Sequence, residues 1–484
     1  MHDQSRAWIS RILRLRNEGS NGKGEICMKQ SAILQEKFFR LVLPIAFQQF
    51  MLALVGASDA IMLGRTGQSD MTAVSLASQV TFVCNLFMTA FIIGENMFVA
   101  QYYGKRDYDG ISRTVSLVLG ISCLSAAFFS AGAILFPGIV MRLFTGEAEL
   151  IAAGSIYLRY VGISYLLSAV SQVYLAAMKN CDAVRLSTII SSMTVLFNIV
   201  LNMILIFGLL GLPALGVRGA ALATVAATGL QTLWCIGYGQ MKMKQVRICL
   251  GKAGGNLTRR FWKKTGPVLL NELVWGGGFT MYSVIMGHLG ADAAAASGIA
   301  NISKNLVICL CLGLGSAGSI LIGNELGAGH FEEAKRAGRV LTKAALVCGL
   351  LSGLLLLIVT PLILQVVTLT PEAERYLKGM LFMCAYYLVG KSVNSMTIGG
   401  IFPAGGDSGF GLVCDAVTLW CITVPVGYLC AFVAELPVLA VYFILHLDEI
   451  IKLPAVYCHY RKYVWLNDLT KEERMPDEKS SCCI

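Results

Sequence analysis

Charge is what this chain has least of. Asp, Glu, Lys and Arg together make up 14% of its 484 residues, against about 25% in an ordinary soluble domain. So few charges cannot cover a water-soluble fold of this size, which excludes a conventional soluble enzyme of two or three domains. Catalytic and nucleotide signatures are missing as well. There is no GxxxxGK[ST] run to cradle phosphates, and no HExxH, GxSxG or paired-aspartate motif, so neither an ATP-driven machine nor an intramembrane hydrolase is expected. No CxxC pair stands near another at zinc-site spacing, and Ser481 occupies the fourth-from-last place that a prenylated cysteine would need. Ten-residue segments of alternating polarity, the mark of a transmembrane barrel, are absent too.

What is present is hydrophobic. Apolar residues make up 56% of the chain and the mean hydropathy is +0.67. A membrane-crossing helix needs about 20 mostly apolar residues. Twelve stretches qualify: 39–64, 72–101, 114–136, 153–177, 188–211, 219–240, 265–287, 298–327, 344–366, 377–402, 411–432 and 435–459. The 50 glycines and 11 prolines, many inside these spans, suit close helix packing in lipid. Most of the 16 cysteines, such as Cys123, Cys309, Cys311, Cys384 and Cys421, lie in apolar runs and read as small buried hydrophobes.

The net charge of +10 suggests a nucleic-acid partner until the basic residues are placed. Counted by loop, 29 Lys and Arg fall on the side holding both termini, and only Arg65, Arg142, Arg218 and Arg375 on the other. That asymmetry predicts cytoplasmic termini of a multi-pass protein in the cell membrane, and it accounts for the basic excess without nucleic acid. Residues 1–38 form a polar extension with no signal-peptide core; Met28 is an alternative start. Residues 242–264 form a basic linker and 460–484 a charged cytoplasmic tail, whose end after Asp468 reads as solvated.

The two halves repeat. An offset of 223 places Pro44 on Pro267, Gly64 on Gly287, Gln101 on Asn324, Gly104 on Gly327, Arg113 on Arg336 and Gln48-Gln49 on Asn271-Glu272. With one inserted residue, Pro137 meets Pro361 and Pro213 meets Pro437. The expected architecture is therefore an all-α integral membrane protein, with six-helix repeats at 39–241 and 265–459 around a central cavity. Parallel repeats of this kind are a frequent plan of secondary transporters.

Several runs carry a family likeness. NIVLNMILIFGLLGLPALGVRGAALAT at 198–224, IGNELGAGHFEEAKRAGR at 322–339, its degenerate partner VAQYYGKRDYDGISR at 99–113, Pro44, Asp59 and Gly64 in the first span, and GGIFPAGGDSGFGLVCD at 399–415 together resemble the multidrug and toxic compound extrusion (MATE) family. The likeness covers about residues 39–465. It implies that Asp59 is the coupling acid, binding H+ or Na+ and releasing it, with Asn202 and Thr224 completing the site as in an archaeal branch. Asn198, four residues before Asn202, shares its helix face. That branch places a further acid where this chain has Ile206, which leaves one carboxylate among neutral oxygens and both ions open. No metal other than Na+ at Asp59 is expected, and no cofactor.

Ionisable groups inside a span are costly, about 2.5–3.5 kcal/mol at the centre on insertion scales, so each is a functional candidate. NorM-like members use an acid in the seventh span, which points to Glu272, but the tenth span offers Lys391 rather than a second acid. Gln49, Glu272, Trp275, Lys304, Lys391 and Asp415 are candidate cavity or polar-cluster residues. Lys304, Lys391 and Arg159 either neutralise acids, with Glu95, Asp415, Asp448 and Glu449 available, or serve an anionic substrate. Met193, Met203, Met281, Phe197, Tyr282 and Trp275 would give a soft apolar wall, though lipid-facing packing is the commoner fate of such residues. The GxGxxG at Gly313, Gly315 and Gly318 lies in an apolar helix and reads as packing. His288, His330 and His446 make no metal motif, and the sequon at Asn256 falls on the cytoplasmic side. The expected function is a monomeric, cation-coupled antiporter of organic, mostly cationic and amphipathic compounds. The alternative is a lipid-linked precursor flippase of the same superfamily with an anionic substrate.

Overall fold

The computed structural model describes residues 23–65, 68–242, 255–367 and 369–471, and among these every regular element is helical. In order they are α1 (Lys23–Gly64), α2 (Gln68–Lys105), α3 (Tyr108–Leu135), α4 (Ala148–Asn180), α5 (Val184–Phe207), α6 (Val217–Lys242), α7 (Gly255–His288), α8 (Ala291–Gly327), α9 (Phe331–Val366), α10 (Pro371–Met396), α11 (Gly409–Phe432) and α12, which comes in three pieces, Val438–Leu445, Asp448–Ile451 and Leu453–Arg461. Among the described residues, nine are long and apolar enough to cross a membrane: α1–α6, α8, α9 and α11. The remaining three rods, α7, α10 and α12, carry Glu272, Lys391, Asp448, Glu449 and Lys452. The set is consistent with the twelve expected spans.

Local chemistry sets the ends. Asp107 caps α3, its Oδ1 accepting from Gly110 N–H at 2.8 Å, and Thr370 caps α10 by accepting from Ala373 N–H at 3.2 Å with Pro371 in the first turn. α5 stops at Gly208, whose φ of 70° supplies the left-handed cap.

Two expected boundaries shift. The first helix begins at Lys23, so much of the expected extension, Met28 included, is helical; residues 1–22 lie outside the described region. The expected charged tail also packs inward over its first residues: Trp465 is fully buried and Leu469 nearly so.

Two hydrophobic cores organise the helices, one drawn from residues 77–221 and the other from 282–465. Each borrows from the opposite half. Leu41, Val42 and Ile45 of α1 join the second core, while Phe261 and Val268 of α7 join the first. Ile45 and Val268 are related by the internal repeat, so the exchange is reciprocal. The same symmetry appears where α2 meets α8. A side chain on Gly104 would overlap the Asn324 carbonyl, and one on Gly327 would overlap the Gln101 carbonyl. Gly313, Gly315 and Gly318 sit against Ala46, Ser395 and Met396, as their packing role predicts.

Gln101 locks this end. Its amide donates to the carbonyls of Ala404 at 2.7 Å and Asn467 at 3.1 Å, and its Oε1 accepts from Leu469 N–H at 2.6 Å. One α2 side chain thus ties the first half to the α10–α11 corner and to the segment after α12, all at the basic end. Gln101→Ala removes three hydrogen bonds, each worth about 1 kcal/mol. Amide exchange across 465–470 is expected to rise by one to two orders of magnitude; unchanged exchange there would show that the clamp does not hold the segment.

Candidate functional site

Asp59 lies in the last turns of α1. Asn202 of α5, fully buried, donates through Nδ2 to Asp59 Oδ1 at 2.6 Å and to Asn198 Oδ1 at 3.2 Å. The spacing of the two asparagines puts them on one face of α5, so a single amide bridges the carboxylate and the second asparagine. Asn202 Oδ1 is buried with no hydrogen-bond partner among the described residues, which leaves an oxygen with a free lone pair beside the acid. This oxygen-rich donor set suits a proton or a hard cation such as Na+. Ile206, standing where a second acid was weighed, packs with Leu63, Val74, Val217 and Ala220, and Tyr157 lies against them. The Thr224 hydroxyl donates to Ala220 O in its own helix at 3.0 Å, which leaves its oxygen able to accept or ligate. Gln49 is half-buried, and it is its neighbour Gln48 that is engaged, donating to Ser191 Oγ at 2.8 Å.

The second half holds a larger and different cluster. Lys452 of α12 is its hub, with Nζ 2.8 Å from Asp415 Oδ1, 3.4 Å from Asp448 Oδ2 and 3.5 Å from Glu449 Oε1. Lys391 of α10 pairs with Glu449 at 3.0 Å, and Asn394 donates to Glu449 Oε2 at 2.7 Å. Glu272 is placed near Lys391 and Asp415. Trp275 stacks on Phe279 with ring centroids 5.7 Å apart, and the Lys391 ammonium stands 5.0 Å from the Trp275 ring centre.

Lys304 departs from the counter-ion expectation. It is 4% exposed, and among the described residues no carboxylate lies within ion-pair distance of it. Its Nζ instead faces His446 Nε2 at 3.4 Å and the Tyr387 ring at 4.7 Å. His446 Nδ1 lies 3.0 Å from Tyr442 O; a carbonyl only accepts, so Nδ1 carries the proton and Nε2 presents a lone pair to Lys304. Arg159 departs too. It is exposed on α4 and joins none of the acids weighed for it. Glu95, another expected partner, is fully buried, and among the described residues neither of its oxygens has a hydrogen bond; Lys179 is a cation near it. Met193, Met203 and Phe197 are exposed on the face of α5 away from Asn202.

The sequence profile of the MatE family matches residues 44–204 and again 267–429. The chain belongs to the MATE family. The two matches begin at Pro44 and Pro267, the register of the internal repeat. Among curated relatives, a probable multidrug resistance protein NorM of Rhizobium meliloti is 28% identical over 296 residues, 58% of this chain and 61% of that one. The multidrug resistance protein PmpM of Pseudomonas aeruginosa is 24% identical over 81% of this chain and 83% of its own. In fold, a mutant of the Vibrio cholerae MATE transporter VcmN superposes with a TM-score of 0.83 at 17% identity, covering 91% of this chain and 99% of that one. A MOP superfamily transporter from Pyrococcus furiosus, whose title speaks of a reverse polarity of its binding pocket, gives 0.80 at 18% identity over 90% and 97%. This chain is accordingly a multi-pass membrane transporter.

Lys452, Asn394 and the Lys304–His446 contact escaped sequence reasoning, although Asp448, Glu449 and Lys452 lie three and four residues apart, the spacing of helical ion pairs. Lys452→Met would leave three buried carboxylates short of their shared cation, a loss of about 3–5 kcal/mol. Thermal melting in detergent should show a far larger drop for Lys452→Met than for Lys391→Met, whose ammonium is partly exposed. Equal melting of the two variants would contradict the hub assignment.

Proposed function

We propose that this protein is a secondary antiporter that exports organic, mostly cationic and amphipathic compounds in exchange for H+ or Na+, by rocking its two halves about a central cavity. The observation that carries the reading is Asp59, the single carboxylate of its cluster, held by Asn202 at 2.6 Å with a spare amide oxygen beside it. Membership of the MATE family supports transport, and the multidrug resistance names of its relatives support the substrate class. The loop charges support cytoplasmic termini in the cell membrane. The Gln101 clamp then closes the cytoplasmic side, and the opposite side is where ion would enter and drug would leave.

The chain's residues perform the exchange by state preference. An ion taken up at Asp59 cancels the carboxylate charge and fills the lone pair that Asn202 leaves over, favouring one arrangement of α1 against α5. Substrate favours the other arrangement. The two need never touch, and a preference of about 1–3 kcal/mol, five- to 150-fold, suffices to couple them. Cofactor and nucleic acid play no part in this scheme, and one chain contains both halves that it needs.

The alternative, an anionic substrate carried by a flippase of the same superfamily, rests on Lys304, a buried cation facing rings and a histidine lone pair rather than an acid. Efflux of ethidium and norfloxacin from cells under imposed proton or sodium gradients separates the readings. Asp59→Asn is expected to cut gradient-driven export at least tenfold; full export by the variant would sink the coupling assignment. Lys304→Met should leave ethidium efflux intact. Absence of export of either compound by the wild type, together with rescue of a flippase-deficient strain that Lys304→Met abolishes, would establish the alternative.

A further inference from the structure

Arg159, which falls within the fourth expected span, is a cation that the transport scheme leaves unused, and its surroundings give it a different task. Between the end of α3, the short helix Pro137–Arg142 and α4 lies a cavity of about 310 Å³, lined in part by Leu135, Phe136, Ile139, Arg142, Ser155 and Arg159. We propose that this cavity binds the phosphate of an anionic phospholipid, in the leaflet opposite the basic end.

Depth comes first. From Arg159 to Asn180, where α4 ends at the basic side, the helix rises about 30 Å, which matches the thickness of the hydrocarbon layer. Arg159 therefore stands at headgroup level on the far side, not in mid-membrane. Charge comes second. That side is poor in basic residues, yet it brings Arg142 and Arg159 into one cavity. Neither arginine forms an ion pair among the described residues, and Glu149, nearby on α4, accepts from Ser69 instead, at 2.8 Å. Two free guanidinium groups present paired donors that match phosphate oxygens, and Ser155 adds a hydroxyl.

Shape comes third, and it selects a lipid over a free anion. The cavity walls Leu135, Phe136 and Ile139 are all more than half exposed, and below them on the same face of α3 lie Phe128 and Leu124, each 76% exposed. Leu124, Phe128 and Leu135 are spaced by four and seven residues, so they form one stripe running about 16 Å from the cavity toward the membrane middle. A headgroup in the cavity would lay an acyl chain along that stripe.

Native mass spectrometry of the full chain in mild detergent tests this, with phosphatidylglycerol, phosphatidylcholine of equal chain length and soluble glycerol 3-phosphate as probes. Wild type should retain phosphatidylglycerol in preference to phosphatidylcholine, and Arg142→Gln with Arg159→Gln should weaken that binding about thirtyfold, from the usual contribution of a basic residue near an anionic surface. Should the double variant melt early, Arg142→Gln alone, on an exposed position of the short helix, is expected to lose about fivefold. Lysine at both positions should fall between wild type and the glutamine pair. Equal retention by wild type and the glutamine variants, equal binding of the two lipids, or glycerol 3-phosphate binding as tightly as the lipid would each overturn the proposal.

Discussion

Hydrocarbon does not solvate charge, and the second half of this protein is built around that constraint. Lys452 reaches three carboxylates, on α11 and α12, at a place where α12 is broken twice. Breaking a helix in the membrane frees backbone carbonyls that water cannot satisfy. Asn394 answers both needs at once, donating to the Glu449 backbone carbonyl and to its carboxylate, each at 2.7 Å. The charged cluster and the irregular backbone are therefore one feature. Each interruption of α12 is tolerated because a side chain of α10 or α12 itself caps it, and the polar groups are tolerated because they satisfy one another.

The two halves share a path and differ in electrostatics. Carried across by the repeat, Asp59 falls on Tyr282 and, beyond the inserted residue, Ser191 falls on Asp415 and Thr224 on Asp448. The first half thus holds Asp59 by neutral amides, with Glu95 buried apart from it near Lys179, and the second gathers acids with lysines that already neutralise them. A carboxylate with no internal cation has to take its counter-charge from outside the chain. A carboxylate beside Lys452 does not. Under the antiport reading, this asymmetry favours Asp59 as the place of ion exchange.

Much of this was legible in the chain. Apolar runs and loop charges gave the spans, because burial in lipid leaves a strong one-dimensional trace. The pairing of Asn198 with Asn202 followed from helical spacing, and the contact of Asp59 with Asn202 from the family likeness. What stayed hidden depended on the third dimension. Thr224 donates its hydroxyl to its own helix, an option open to any threonine within a helix. Arg159 fell inside an expected span because limits drawn from hydropathy do not show that α4 runs to 33 residues, Ala148–Asn180. The burial of Trp465 and Leu469 was hidden because Gln101, which binds their segment, lies several hundred residues away in sequence. The break in α12 was hidden because averaging over a span conceals where its charges cluster.

The interlock at the basic end fixes the energetic scale of any rocking motion. Opening that side must separate Gly104 from Asn324 and Gly327 from Gln101, close contacts of small area, and break the hydrogen bonds of Gln101 to the corner and the tail. Three such bonds contribute about 3 kcal/mol together. A coupling ion under the antiport reading supplies about 1–3 kcal/mol of differential binding. The two magnitudes are comparable, so under that reading the clamp would be strong enough to hold one state and weak enough for a single ion at Asp59 to tip it. A seam of large interdigitated side chains in place of the paired glycines would raise the barrier beyond what one cation supplies. The small residues at 104 and 327 would then matter to movement as much as to packing.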